Sequence, residues 1–194
     1  MFNLKSPQNI FVHADGFQKA VRYLNKPPES GLFDPFCFAA MITNSAFASE
    51  LYLKCLIQIE TQQVIRAEHD LKKLFSRLPA ATQEEIEKPF NAEMSKAVSY
   101  DLSRVSKEEA EVIAKKSRNF REALAKGRDA FVKWRYLYED ENIFRSYDLF
   151  GLPPILRGVI LARRPEWGNF RINMTKLAGP LPTSQVPKTP GQGA

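Results

Sequence analysis

The sequence is poor in the residues that build metal and nucleophile sites. It has two histidines, His13 and His69, and two cysteines, Cys37 and Cys55, and no Cys or His cluster has the spacing of a zinc site. No metal ligand is therefore expected. Two thiols make no disulfide framework, and both lie in an apolar stretch where a buried, inert thiol is the simplest reading, which fits a reducing compartment. No apolar run approaches the roughly 18 residues of a membrane span. The N-terminus, MFNLKSPQNIFVHADG, lacks the basic region, continuous apolar stretch and small-residue cleavage site of a secretory signal, so a cytoplasmic protein without membrane contact is expected. No P-loop, GxSxG or helix-opening GxGxxG is present, the only Gly-x-Gly being Gly191 and Gly193 near the C-terminus. Nucleotide hydrolysis by those routes is excluded, and no cofactor is expected. Strand-type alternation does not persist anywhere.

What the sequence has is helical periodicity with clear punctuation, which predicts an all-α fold. Asn9 to Leu24 carries Phe11, Val12, Phe17, Val21 and Leu24 on one stripe and stops at Pro27, Pro28 and Gly31. Asp34 ahead of Pro35 reads as an N-cap with proline in the first turn, and Phe33 and Phe38 are spaced for a hydrophobic staple. From Pro35 to about Glu60 apolar residues face several sides, as in a central helix with neighbours all round. His69 to Leu78 forms a short third helix stopped by Pro79. Thr82–Glu85 and Ser106–Glu109 match the capping box and each predicts a helix start. From Arg118 to about Glu139, Phe120, Ala123, Leu124, Gly127, Phe131, Trp134, Leu137 and Tyr138 keep a 3.6-residue stripe. Leu152-Pro153-Pro154 opens a last short helix to about Ala162. The expected organisation is a helical domain over 1–165 and a basic, Pro/Gly-rich, largely flexible extension over 166–194.

Charge is unevenly distributed. Of the 28 Lys and Arg and 22 Asp and Glu, residues 82–111 hold a surplus of acids and residues 115–135 a surplus of bases. Arg121, Arg128 and Arg135 recur every seven residues along the 118–139 segment. With Arg118, Lys133 and Tyr136 they are the candidate ligand-binding set, because a guanidinium donates two hydrogen bonds to a phosphate at once and Trp134, Tyr136 or Tyr138 could stack a base. The competing reading makes Trp134 and Tyr138 core and pairs the arginines with carboxylates of the acidic segment. Glu50 and Lys54 are spaced i,i+4 in the favourable order on the central helix, either as an exposed pair or as a partly buried one bonded to a neighbouring helix. His69 is the natural neighbour to test, as a capping or core hydrogen-bond group or as a catalytic base.

The stretch Ala-Ser-Glu-Leu-Tyr-Leu-Lys at 48–54, then His-Asp-Leu-Lys-Lys-Leu-Phe at 69–75 and Phe-Val-Lys-Trp-Arg-Tyr-Leu-Tyr-Glu at 131–139, in that order and separation, resembles the HEPN superfamily over residues 35–140. The resemblance implies an antiparallel bundle of four or five main helices, homodimerisation, and roles around RNA, nucleotides, toxin–antitoxin systems and defence. Many members of that superfamily are metal-independent ribonucleases with four to six residues between an arginine and the histidine that follows it. Here Gln62, Gln63 and Val64 precede His69 at those distances, and Ser6, Pro7 and Gln8 stand ahead of His13. No catalytic residue is assigned on that pattern. The expectation is a non-catalytic HEPN-like helical protein that binds RNA, a nucleotide or a protein partner. The alternatives are a ribonuclease with an atypical site built from His69 and Arg135, or the helical partner subunit of a nucleotidyltransferase.

Overall fold

A computed structural model of the chain describes residues 6–25, 37–102, 119–134 and 147–169, without the side chains of 94–102 and 169. Helix α1 spans Pro7–Leu24, α2 Phe38–Thr61, α3 Leu71–Ser76, α4 Ala80–Leu102, α5 Phe120–Gly127, α6 Ala130–Lys133 and α7 Leu152–Arg163, followed by a 3-10 turn over Pro165–Asn169. The described residues contain no strand, so the all-α expectation holds.

Three helices start at a side-chain cap. The Ser6 hydroxyl accepts from the Asn9 amide, with Pro7 placed where its missing N–H costs nothing. The Asp70 carboxylate accepts from the Lys72 and Lys73 amides and starts α3, and the Asn119 side chain accepts from the Glu122 amide and starts α5. Helix α2 ends at Gln62, whose φ of 61° lies in the left-handed region that usually falls to glycine at a helix C-terminus.

Helix α2 is the centre of the fold. From Ser45 to Ile57 almost every side chain is buried, including Tyr52, Leu53, Leu56 and Ile57. Helix α1 lies antiparallel beside it: the Cys55 thiol donates to the Pro7 carbonyl at one end, Phe11 meets Tyr52 in the middle and Phe17 meets Phe47 further along. Helix α7 packs on α2, α1 and α4, and Trp167 in the following turn sits against Phe11, so the packed chain continues past residue 165. On the far side, Phe75 of α3, Phe90 of α4 and Phe120 of α5 meet edge to face.

Two expectations are corrected. The segment read as one helix from Arg118 to Glu139 is broken at Arg128 and Asp129 into α5 and α6, while Arg118 and residues 135–139 lie outside the described residues. At the break the Arg128 carbonyl accepts from the Leu71 amide at 2.9 Å. That amide is one of the donors a helix start leaves without an intrahelical partner, so the tertiary bond satisfies a need of α3 at the expense of continuity in α5. Gly127 fits the same corner because a Cβ there would lie 2.5 Å from Leu149 Cδ1. The Thr82–Glu85 capping box does not form either. Helix α4 starts at Ala80, and the buried Thr82 hydroxyl donates instead to the Glu60 carboxylate of α2. The Asp34 cap, the Phe33–Phe38 staple, the Ser106–Glu109 capping box and the extension beyond residue 169 lie outside the described residues.

Candidate functional site

Helix α2 turns Glu50 and Lys54 inward, and the entry to α3 brings His69 over them. Lys54 Nζ donates to Glu50 Oε1 at 2.8 Å and lies 3.4 Å from the Arg66 carbonyl. His69 Nδ1 stands 3.1 Å from both carboxylate oxygens of Glu50. The Glu50 side chain is 1% exposed and that of Lys54 9%, whereas the imidazole is 50% exposed. The pair is thus the buried alternative, bonded to a neighbouring element. A carboxylate held out of water needs charge compensation and hydrogen bonds, and here an ammonium and an imidazole supply them.

Local structure fixes the histidine from both sides. The Glu68 carboxylate accepts from the His69 and Asp70 amides, and those bonds hold its acid group below the usual carboxylate range. The next residue, Asp70, is the cap of α3. The imidazole lies 6.1 Å from the Phe131 ring, which stacks on Phe47, which in turn meets Phe17 edge to face.

The candidate basic face is ion-paired wherever it is described. Arg121 meets Glu87 at 2.8 Å, hydrogen-bonds Gln83 and lies over the Phe75 ring. Arg128 meets Asp70 at 2.8 Å and Lys133 meets Asp129 at 2.7 Å. These three basic side chains remain about half exposed, at 53%, 49% and 46%. Trp134 is buried and meets Phe38 edge to face. Arg118, Arg135 and Tyr136 lie outside the described residues, so the pairing of His69 with Arg135 does too. Neither the family-model comparison nor the comparisons with curated proteins and solved structures gave a match to this chain.

Two further polar clusters join distant parts of the chain. Tyr52 of α2 donates to Asp15 and Gln18 of α1, and Arg157 of α7 binds Asp15 with two nitrogens. Burial, then the acceptor Asp15, pushes the Tyr52 phenol far above its ordinary range, and the bond to Asp15 raises Arg157. Arg163 of α7 binds Glu60 of α2 at 2.6 Å and Glu85 of α4 at 2.9 Å, and it also reaches the Thr82 hydroxyl. Partners 142 and 103 residues apart leave no local signal, which is why sequence reasoning missed both clusters. Among the described residues no group of three or more His, Cys, Asp or Glu side chains could hold a metal ion, and no helix is long and apolar enough to cross a membrane.

Proposed function

We propose that this chain is a HEPN-like binding protein that does not cleave RNA and whose principal ligand is another protein chain, as in the helical partner of a nucleotidyltransferase. The observation that carries the reading is the state of the α5–α6 face. Arg121, Arg128 and Lys133 each hold a carboxylate of their own chain at 2.7 to 2.8 Å. A phosphate approaching that face meets three neutralised pairs and has to displace a carboxylate at each one. A protein surface of alternating charge can exchange partners with such pairs without leaving either member unpaired. The homodimer implied by the resemblance, the setting in toxin–antitoxin systems or defence, and a cytoplasmic location belong to the same proposal.

The test is a titration of labelled single-stranded RNA with purified protein between about 50 and 200 mM salt, where phosphate contacts make affinity fall steeply. The expected result is no measurable binding and no cleavage. In parallel, an affinity-tagged chain and its R121E/R128E variant are used to recover partners from the native cell. A protein recovered with the first and lost with the second supports the reading. Salt-dependent RNA binding that the double variant abolishes would replace the protein partner by RNA. A second reading, a ribonuclease with an atypical site, is favoured by one observation, the exposed His69 backed by Glu50, and metal-free cleavage that depends on His69 would establish it.

A further inference from the structure

The Glu50–Lys54–His69 cluster has a polarity that the binding reading does not use. His69 Nδ1 faces both oxygens of a carboxylate that already accepts from the Lys54 ammonium. An ionised carboxylate only accepts, so in the neutral imidazole the proton belongs on Nδ1 and the lone pair on Nε2. Nε2 lies across the ring from Glu50, on a side chain that is half exposed, and it meets no hydrogen-bonding partner among the described residues. Each acid beside the ring has a basic partner: Glu50 with Lys54, Glu68 with Lys73 and Asp70 with Arg128. The face beside the imidazole is the apolar ring of Phe131.

We propose that His69 and Glu50 form a carboxylate–imidazole dyad that presents a nucleophilic Nε2, and that this site takes an uncharged acyl donor such as an ester or thioester. Glu50 is a positioning residue: it fixes the ring and the tautomer and does not touch the donor. Lys54 keeps the carboxylate compensated where water does not reach. In the reaction the Nε2 lone pair forms a bond to the carbonyl carbon. The bond from that carbon to the leaving oxygen or sulfur breaks with its electron pair, and the leaving group departs as the anion. The Nδ1 proton passes to the Glu50 carboxylate, which leaves a neutral acyl-imidazole. Water then attacks the acyl carbon, and the bond from that carbon to Nε2 breaks with its electron pair returning to the ring. Glu50 gives its proton back to Nδ1, and a proton of the water neutralises the leaving-group anion, so that the free acid, the protonated leaving group and the original histidine result. Phe131, 6.1 Å from the imidazole, offers apolar surface to the acyl group.

The protein carries its own control, because its only other histidine, His13, is an exposed residue of α1. Long-range proton–nitrogen correlation spectra of the full-length, nitrogen-15-labelled chain near pH 8 report the tautomer of each ring. His69 is expected to carry its proton on Nδ1, and His13 mostly on Nε2. A His69 ring protonated on Nε2, or averaged like His13, would overturn the dyad in the unaltered protein, whatever any variant does. Diethyl pyrocarbonate, an uncharged acyl donor, is then used as the probe, with peptide mass spectrometry giving the rate at each histidine. His69 is expected to react about fivefold or more faster than His13, and Glu50→Gln, checked for unchanged helicity, to bring the two within about twofold. Equal rates in the unaltered protein, or a Glu50→Gln protein that folds and keeps the fast rate, would overturn the proposal. The RNA-binding titration and the partner recovery above read Arg121 and Arg128, so the two proposals fail separately.

Discussion

Lys54–Glu50 and Arg121–Glu87 are ion pairs of the same length, 2.8 Å, in two regions of one small helical protein. The first is closed in by α2 and the α3 entry, and water reaches almost none of it. The second spans α4 and α5 with the guanidinium half in solvent. Desolvation separates them. In the buried region each member is indispensable to the other, because removing one strands a charge; on the surface, water and salt stand in for the lost partner. The contact between α2 and the α3 entry is therefore where polar residues define the fold. The α5–α6 side is where charge can be exchanged with a partner.

The largest effect that sharpens this contrast comes from alkali. Burial pushes Tyr52 and Tyr147 well above their usual range and Cys55 up to about 12. These groups keep their protons in the fold and lose them in the unfolded chain near pH 8.5 to 10, so their contribution is complete below that range and falls as pH rises. With about 1.4 kcal/mol per pH unit for each group, denaturant titrations should show stability falling by about 4 kcal/mol per unit above about pH 10. Tyr52→Phe should reduce that slope by about a third. A flat profile would mean that the buried side admits water.

Lys54→Met leaves Glu50 uncompensated and is expected to cost about 3–5 kcal/mol in the same titrations, against less than about 1 kcal/mol for Arg121→Ala. Equal losses would erase the distinction between the two regions. Leu53, fully buried in the centre of α2, should lose about 2–5 kcal/mol as alanine. Phe47 is only partly buried, in the row that leads to His69, and its replacement by alanine should cost less than that of Leu53. An effect smaller than that of either buried replacement, Lys54→Met or Leu53→Ala, is expected from charge reversal at Arg121 and Arg128 together, a melting shift of a few degrees from two exposed pairs and the Arg121 contact with Phe75. A loss as large as that of Lys54→Met would mean that these arginines serve the core and not a partner.

Much of this architecture was legible one segment at a time. The stripe of α1, the many-sided apolar character of α2, the short α3 stopped ahead of Pro79 and the proline-led start of α7 are local properties, readable from propensity, periodicity and punctuation. The Glu50–Lys54 spacing was visible as well, and with it the reason to look at His69 as a neighbour. The two misread places share one cause. Thr82 carries the signature of a helix cap but is bonded by Glu60, a residue of another helix; Arg128 lies in a segment whose apolar stripe runs on without a break, yet its carbonyl is bonded by the Leu71 amide.

The sequence by itself thus determined which segments are helical and which faces are apolar, because those depend on residues within one or two turns of each other. Only the tertiary structure decided which helices meet and which charges are dry. It brought Asp15 to Arg157 and Glu60 to Arg163, set His69 on Glu50, and broke the basic segment into two helices. Those outcomes follow from burial, where an unpaired donor, acceptor or charge costs more than an ideal helix gains, and burial belongs to the assembled bundle and not to any stretch of chain.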